Sequence, residues 1–170
     1  YITMLKVKLK KLAIYFVLLI FSIQTMDQDI NPNSCISNNP NLGHSAYWAN
    51  NSIKLFEQKK YEDAIESVDA CFNQWSPEAV ELQKTFNKEN IKLPPSGRVT
   101  RIEKNRIHQN YVINDVSMAL WVKAVSLEAL GEIEYSKKIY SYCIFLTHGR
   151  AWEPQGWFWN PSSDCVRKGR

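Results

Sequence analysis

The sequence predicts an all-α protein of stacked helical hairpins that is closed by an aromatic C-terminal cap. Two observations carry this prediction. Between residues 44 and 147, apolar side chains recur at steps of three and four, which places them on one face of an α-helix. No stretch alternates apolar and polar residues with a period of two for long enough to form a strand. The 170 residues are about the length of one domain.

Residues 1–26 have the layout of a secretory signal peptide. Four lysines precede an apolar run from Leu12 to Ile23, and the polar stretch QTMDQD follows it. The run is shorter than the roughly 20 apolar residues that a membrane span needs. No cleavage site of the small-x-small type is visible near Thr25, so removal of the leader and its retention as an N-terminal anchor both stay open. We therefore expect a periplasmic or secreted protein.

The net positive charge of the chain comes from this leader. The formal net charge is +4, from 21 basic and 17 acidic residues. Four of the basic residues and none of the acidic ones precede residue 27, so the remainder carries equal numbers of both signs. A balanced charge gives no indication of nucleic-acid binding. We expect no nucleic-acid partner, and membrane contact only through an uncleaved leader.

Four cysteines follow the leader, at Cys35, Cys71, Cys143 and Cys165. An even number in an exported chain permits two disulfides with three possible connectivities, of which Cys35–Cys71 with Cys143–Cys165 is favoured. Free cysteines remain the alternative, because Cys71 and Cys143 lie on apolar helix faces where a thiol packs as a small hydrophobe. No Cys-x-x-Cys pair is present and the three histidines are scattered, so we expect no metal site.

The first helical hairpin follows a polar lead-in. Residues 27–43 are rich in Asn, Pro and Ser, which predicts a flexible segment before a helical domain at 44–170. Trp48, Ser52 and Leu55 mark the first helix, and the break falls at Lys59 and Lys60. The second helix carries a longer apolar stripe, formed by Tyr61, Ala64, Ile65, Val68, Cys71, Phe72 and Trp75.

An insert separates this hairpin from the next one. Ser76 as N-cap and Pro77 at the first helical position predict a new helix, which should end before KLPPSG. The basic stretch RVTRIEKNRIHQNY is expected to form a short helix or an ordered loop. Its cations could contact an acidic ligand, although a solvated helix face is the favoured interpretation. These cations are Arg98, Arg101, Lys104 and Arg106, with Lys84, Lys88 and Lys92 nearby.

The second hairpin begins with a helix over VSMALWVKAVSLEAL, capped by Asn114 or Asp115. Gly131 should end this helix, because glycine adopts a left-handed conformation without steric cost. The partner helix, EIEYSKKIYSYCIFLTH, is expected to be buried on one face. That face is formed by Ser136, Tyr140, Cys143, Ile144 and Thr147.

Both hairpins resemble tetratricopeptide repeats, which are antiparallel helix pairs with aromatic and small residues at fixed offsets. In the first hairpin Trp48 matches the opening Trp, Tyr61 the aromatic after the turn, and Ala64 and Cys71 the small positions. Lys59 departs from the pattern at the turn Gly. In the second hairpin the matching residues are Ala124, Gly131, Tyr140 and Cys143.

The resemblance implies a way of binding partners. Such modules often hold a peptide in the concave groove lined by the first helix of each hairpin. The polar groove residues that the resemblance assigns are Asn51, Lys54, Lys123 and Ser126. The ending AWEPQGWFWNP is also similar to that of a group of bacterial TPR-like proteins that finish in a Trp-Asp/Glu-Pro-x-Gly-Trp-Phe-Trp segment. This second resemblance implies no particular activity.

The aromatic ending admits two interpretations. Stacked repeats leave an apolar face open at the last repeat, which Trp152, Trp157, Phe158 and Trp159 could cover as a cap. The alternative is an exposed platform for sugar rings or a peptide, which we disfavour because so much exposed apolar surface is unusual. Asn160, Pro161 and Ser162 should begin a last short helix that holds Cys165.

The residues predict a binding module rather than an enzyme. A catalytic site needs a nucleophile beside a base, or convergent carboxylates in a pocket, and we find neither pattern. We expect no catalytic residue and no cofactor. The expected function is that of an exported, non-catalytic protein–protein interaction module. The alternative is carbohydrate or cell-wall binding through the C-terminal tryptophans.

Overall fold

A computed structural model describes residues 31 and 33–170 of the chain. This part is mostly helical, as the sequence predicts, and the leader predicted at 1–26 lies outside it. Its helices are α1 His44–Glu57, α2 Tyr61–Lys88, α3 Arg101–Gln109, α4 Tyr111–Ala129, α5 Ile133–Phe145 and α6 Pro161–Lys168. Between α5 and α6, strands β1 Ala151–Glu153 and β2 Trp157–Trp159 form an antiparallel hairpin. None of the described helices is both long and apolar enough to cross a membrane.

Helix α4 lies at the centre of the fold. It packs against α1 and α2, against its own hairpin partner α5, and against α6. Because neighbours surround it, eleven of its residues are buried, in place of the single stripe of a surface helix. Trp48 from α1 and Tyr140 from α5 are fully buried in the same core. The Trp48 Nε1–H donates to the Ser67 carbonyl at 2.7 Å, so its polar atom is satisfied.

Three helices end in the same way. The residue after the C-cap has a left-handed backbone in each case, at Lys59 (φ 61°), Asn90 (φ 52°) and Gly131 (φ 81°). After α4, the Gly131 N–H bonds to the Glu128 carbonyl and the next N–H bonds to the carbonyl of Leu127. This paired pattern is a Schellman motif, and it confirms the helix end predicted at Gly131. Lys59 adopts the same conformation where the repeat pattern has glycine, although a side chain there is strained.

The helix predicted to start at Ser76 is wrong. Helix α2 runs without a break for 28 residues, with Pro77 inside it. Proline cannot donate the backbone bond to the carbonyl four residues earlier, at Asn73, which weakens one turn. The turns on both sides are held by tertiary packing, since Cys71 and Ala79 are buried in the core. Packing therefore overrides the local signal for a new helix.

The start predicted for α4 is also wrong. The helix begins at Tyr111, so Asn114 and Asp115 lie within it and cap nothing. The Asn114 side chain faces inward, where its Nδ2 donates to the Ile107 carbonyl at 2.7 Å. Its Oδ1 accepts from the Arg150 backbone N–H at 2.8 Å. A residue type that often caps helices serves here to join α3, α4 and the C-terminal segment.

The basic insert, for which a short helix or an ordered loop was expected, forms the short helix α3. It starts with a capping box, in which Thr100 Oγ1 accepts from the Glu103 N–H while the Glu103 carboxylate accepts from the Thr100 N–H. Both favoured disulfides are present. Cys35–Cys71 ties the lead-in to α2, and Cys143–Cys165 ties α6 to α5.

Candidate functional site

The C-terminal hairpin, residues 151–159, contains the aromatic cluster. Its two strands were not predicted, because three residues each are too few for a period-two pattern to be recognised. The turn includes Gly156 with φ 101°, a conformation that favours glycine. Trp152 pairs with Phe158 across the strands, so these two side chains share one face of the hairpin. Trp157 and Trp159 point to the opposite face.

The Phe158 face of the hairpin rests on α3. Phe158 is 1% exposed, and its ring lies 5.4 Å from that of His108 and 4.8 Å from that of Trp152. Burial lowers the pKa of His108, and the nearby charge of Lys104 lowers it further. The Lys104 ammonium lies 3.7 Å from the centre of the Trp152 ring, a cation–π contact that occupies one indole face.

The opposite face of the hairpin rests on α4. The indole of Trp159 meets that of Trp121 edge to face, with ring centres 5.2 Å apart. Trp121 also donates its Nε1–H to the Asp164 carboxylate at 2.6 Å, which joins α4 to α6. Burial would raise the pKa of Asp164, but the hydrogen bonds from Trp121 and Arg167 outweigh it and lower the pKa. The hairpin therefore packs against α3 on one face and against α4 on the other.

The four aromatic residues differ in how far they are buried against the core. Phe158 is buried and Trp159 is partly buried, as a cap requires. Trp152 is 39% exposed and Trp157 is 37% exposed. Trp157 makes no ring–ring contact with the residues that the structure describes. Trp157 was grouped with the cap residues, but it is much more exposed than Phe158, which contributes the most fully buried ring of the four.

The four residues assigned to a concave groove do not form a common surface. Asn51 and Ser126 are buried, at 4% and 0% exposure, so a partner cannot contact them in this conformation. Lys123 forms an ion pair with Asp69 of α2. Lys54 is the one residue of the four that is exposed and forms no ion pair with a residue that the structure describes. The assignment fails because the close packing of α1 on α4 encloses the positions carried over from the repeat pattern.

A different surface has the geometry of a binding site, and we call it the apolar cleft. It is a cavity of about 470 Å³ between α2 and α5, with α4 as its floor. Val116 and Leu120 of α4 form the buried floor. The walls are formed by Phe72, Ser76, Pro77, Val80 and Glu81 of α2 and by Ser141, Tyr142, Phe145 and Leu146 of α5 and the residue after it. Volumes of this size hold several apolar side chains or a small ligand.

Sequence reasoning missed the apolar cleft. Tyr142 and Phe145 lie on α5 but outside the predicted buried face, at 47% and 40% exposure. Their three-residue spacing places them side by side on the helix, which was the available signal. The sequence does not show that α2 and α4 leave an open cleft beside this pair.

One buried serine of the described residues is hydrogen-bonded to a carboxyl group. Ser45 Oγ donates to the Asp115 carboxylate at 2.6 Å, and burial raises the pKa of Asp115 to about 7. With a pKa of about 7 this carboxyl is about half ionised at neutral pH, and its hydrogen bond to Ser45 does not by itself assign a reaction to the pair. Within residues 31 and 33–170, no three His, Cys, Asp or Glu residues are placed to hold a metal ion.

Comparison of the chain with protein-family models, with curated proteins and with solved structures finds no match.

Proposed function

We propose that the chain is an exported, non-catalytic interaction module of TPR-like architecture that binds an amphipathic helix of a partner protein in the apolar cleft. The observation that carries the proposal is the cleft itself. Its floor and walls are almost wholly apolar, and aromatic side chains stand half-exposed at its edge. Exposed apolar surface of this kind is typical of a protein-interaction site.

The shape of the cleft favours a helix as the occupant. On α2, the lining residues Phe72, Ser76 and Val80 are four apart and form one ridge along the helix. On α5, Tyr142 and Phe145 form a second ridge. Two helical ridges with a groove between them can receive the apolar face of a third helix, with anchors at i, i+3 or i+4, and i+7.

The TPR-like part of the proposal is supported by the helix packing. The first helix of the second hairpin, α4, contacts both helices of the first hairpin, as consecutive units of a repeat array do. The small residue Ser136 lies where α5 crosses α4, and its Oγ donates to the Ala124 carbonyl at 2.8 Å. Export is supported by the predicted leader and by the two disulfides, which persist in oxidising compartments.

Panning of a displayed library of helical peptides against the purified protein tests this function. We expect enriched peptides to carry apolar residues at i, i+3 or i+4, and i+7, and to lose at least about tenfold in affinity for Tyr142→Arg. Tyr135→Arg is the matched control, because Tyr135 is 65% exposed on the same helix and does not line the cleft. No enrichment, or equal affinity for the two variants, would contradict the proposal.

Carbohydrate binding by the C-terminal hairpin is the second candidate. The observation in its favour is the exposure of Trp152 and Trp157, at 39% and 37%. Indole faces in solvent can stack on apolar ligand surfaces. The candidate is weakened by Lys104, which already covers one face of Trp152. A shift of tryptophan fluorescence on addition of cell-wall glycans that Trp157→Ala abolishes would favour this function over helix binding.

A further inference from the structure

A second cavity, which we call the loop cavity, lies apart from the apolar cleft. It has a volume of about 610 Å³ and lies between the end of α2, the segment 91–95 and α3. Its apolar lining consists of Phe86, Ile91, Leu93, Pro94, Pro95 and Ile107. Charged residues also line it, namely Lys92, Glu103 and Arg106. Gln109, Asn110 and His148 complete the lining, so apolar and polar residues contribute in equal number. A cavity of several hundred Å³ that combines apolar surface with polar groups can hold an amphipathic small molecule.

The segment that borders the loop cavity is fixed in place by buried side chains. His148 Nδ1 lies 2.9 Å from the Gln83 side-chain amide that donates to it, which leaves the proton on Nε2 for the Ile91 carbonyl at 3.0 Å. Arg150 donates from its guanidinium to the carbonyls of Pro94 and Pro95. The carbonyls of Ile91, Pro94 and Pro95, which lie outside regular secondary structure, are thus satisfied, and these bonds fix the cavity wall.

The same anchor places an uncompensated positive charge beside the cavity. Arg150 is 4% exposed, and its guanidinium donates to carbonyl oxygens, with no carboxylate of the described residues forming an ion pair with it. Burial lowers its pKa to about 10, so it still carries a charge at neutral pH. A buried charge without a partner of opposite sign is costly, and a nearby anion would reduce that cost.

Charged residues in the cavity lining contribute further positive charge. Lys92 and Arg106 form no ion pair with a residue that the structure describes. The one acidic residue of the lining, Glu103, already accepts hydrogen bonds from the N–H and the Oγ of Thr100. Hydrogen bonds from Thr100 lower the pKa of Glu103, and the charges of Arg106 and Lys92 lower it further, so this carboxylate offsets part of their positive charge. Two cations and one carboxylate line the cavity, and the Arg150 guanidinium lies behind its wall, so the charge near the cavity is net positive.

We propose that the loop cavity binds a small amphipathic organic anion, with its carboxylate or sulfonate held by Arg106 and Lys92 and its apolar body inside the cavity. The proposal is independent of helix binding, because the apolar cleft is lined by other residues. Arginine suits the acidic group because its planar fork can donate two parallel hydrogen bonds. The apolar half of the lining favours an anion with an apolar body over a fully hydrated inorganic anion.

Two fluorescent probes of similar shape test the charge requirement. 8-Anilinonaphthalene-1-sulfonate carries a sulfonate, and N-phenyl-1-naphthylamine is its neutral counterpart. In titrations of the folded protein, we expect Arg106→Gln to weaken sulfonate binding by about tenfold, the equivalent of one charge-assisted hydrogen bond. Binding of the neutral probe should stay unchanged. Arg101→Gln is the matched control, since Arg101 is exposed on the same helix and does not line the cavity.

A second pair of variants locates the probe, because the apolar cleft could also bind it. Leu93→Glu places a negative charge in the loop cavity at a position that is 50% exposed, and it should abolish sulfonate binding. Tyr142→Glu makes the corresponding change at the apolar cleft and should leave sulfonate binding unchanged. The proposal is overturned if the sulfonate does not bind, if Arg106→Gln binds it like wild type, or if Tyr142→Glu weakens it as much as Leu93→Glu.

Discussion

Trp159 meets Trp121 edge to face, with ring centres 5.2 Å apart, and this contact joins the last strand to the central helix. Trp121 also packs against Phe56 of α1, at 5.8 Å between ring centres, and donates to Asp164 of α6. One side chain of α4 thereby connects the first hairpin, the C-terminal hairpin and the last helix. The aromatic ending is for this reason chiefly part of the fold, and Trp152 and Trp157 are its exposed members.

Replacement of Pro77 by alanine tests whether α2 is one helix. A proline inside a helix costs about 3 kcal/mol relative to alanine when the surroundings cannot relax. We therefore expect Pro77→Ala to raise the free energy of unfolding by about 1–3 kcal/mol in urea denaturation. If a new helix began at Ser76, proline would be favourable at its first position, and the substitution would be neutral or destabilising.

Replacement of Asp115 by asparagine tests the effect of its burial on stability. Burial raises the pKa of this carboxyl from 3.8 to about 7, so the folded protein binds a proton that the unfolded chain has released between those pH values. Stability should therefore fall as pH rises from about 4 to about 7. Asparagine stays neutral and can still accept from Ser45, so Asp115→Asn should match wild type near pH 4 and exceed it at pH 8.

The size of this effect has an upper bound. Each tenfold change in acidity is worth about 1.4 kcal/mol, so the gain at pH 8 is at most about 4 kcal/mol. Urea denaturation at both pH values measures it. Asp63→Asn is the control, because Asp63 is exposed on α2. A gain for Asp115→Asn that is equal at pH 4 and pH 8 would show that the carboxyl does not titrate as described.

Replacement of Arg150 by lysine tests the anchor of the segment beside the loop cavity. Lysine keeps the charge but cannot reach the carbonyls of Pro94 and Pro95 together, because it lacks the planar fork. We expect a loss of about 1–3 kcal/mol in unfolding free energy, the cost of leaving partly buried carbonyl groups unsatisfied. Cleavage by trypsin after the exposed residue Arg98 should become faster, as followed by mass spectrometry.

Arg167→Lys is the matched control for this substitution, since the Arg167 side chain is 77% exposed. It should leave both the unfolding free energy and the rate of cleavage after Arg98 close to wild type. Unchanged cleavage in Arg150→Lys would mean that other contacts hold the segment, such as the backbone pairing of Gly97 with Phe158.

Local signals in the sequence located some helix boundaries correctly and misplaced others. Gly131 ends α4 because its left-handed conformation depends on that residue alone. Asn160 caps α6 through its own side chain, as predicted, by accepting from the Ser163 N–H at 3.1 Å. Pro77 and Asn114 misled the prediction because the same residue types serve both as start signals and as interior residues held by packing. Tertiary contacts, which the local sequence does not reveal, decide between these roles.

The binding surfaces were harder to predict than the helices. Both favoured disulfides are present, so the cysteine pairing was predicted correctly.

The groove assignment relied on the repeat pattern and failed at Asn51 and Ser126, which neighbouring helices enclose. The apolar cleft and the loop cavity depend on the spacing between elements, and Arg150 showed no sequence pattern that would set it apart as an anchor.

The most direct test of the account compares Phe158→Ala with Trp157→Ala in urea denaturation. Phe158 is 1% exposed between the C-terminal hairpin and α3, whereas the larger side chain of Trp157 is 37% exposed. If the hairpin covers the core through Phe158 and Trp159, Phe158→Ala should cost about 3–5 kcal/mol and Trp157→Ala about 1 kcal/mol or less. Equal losses for the two variants, or a larger loss for Trp157→Ala, would contradict the account.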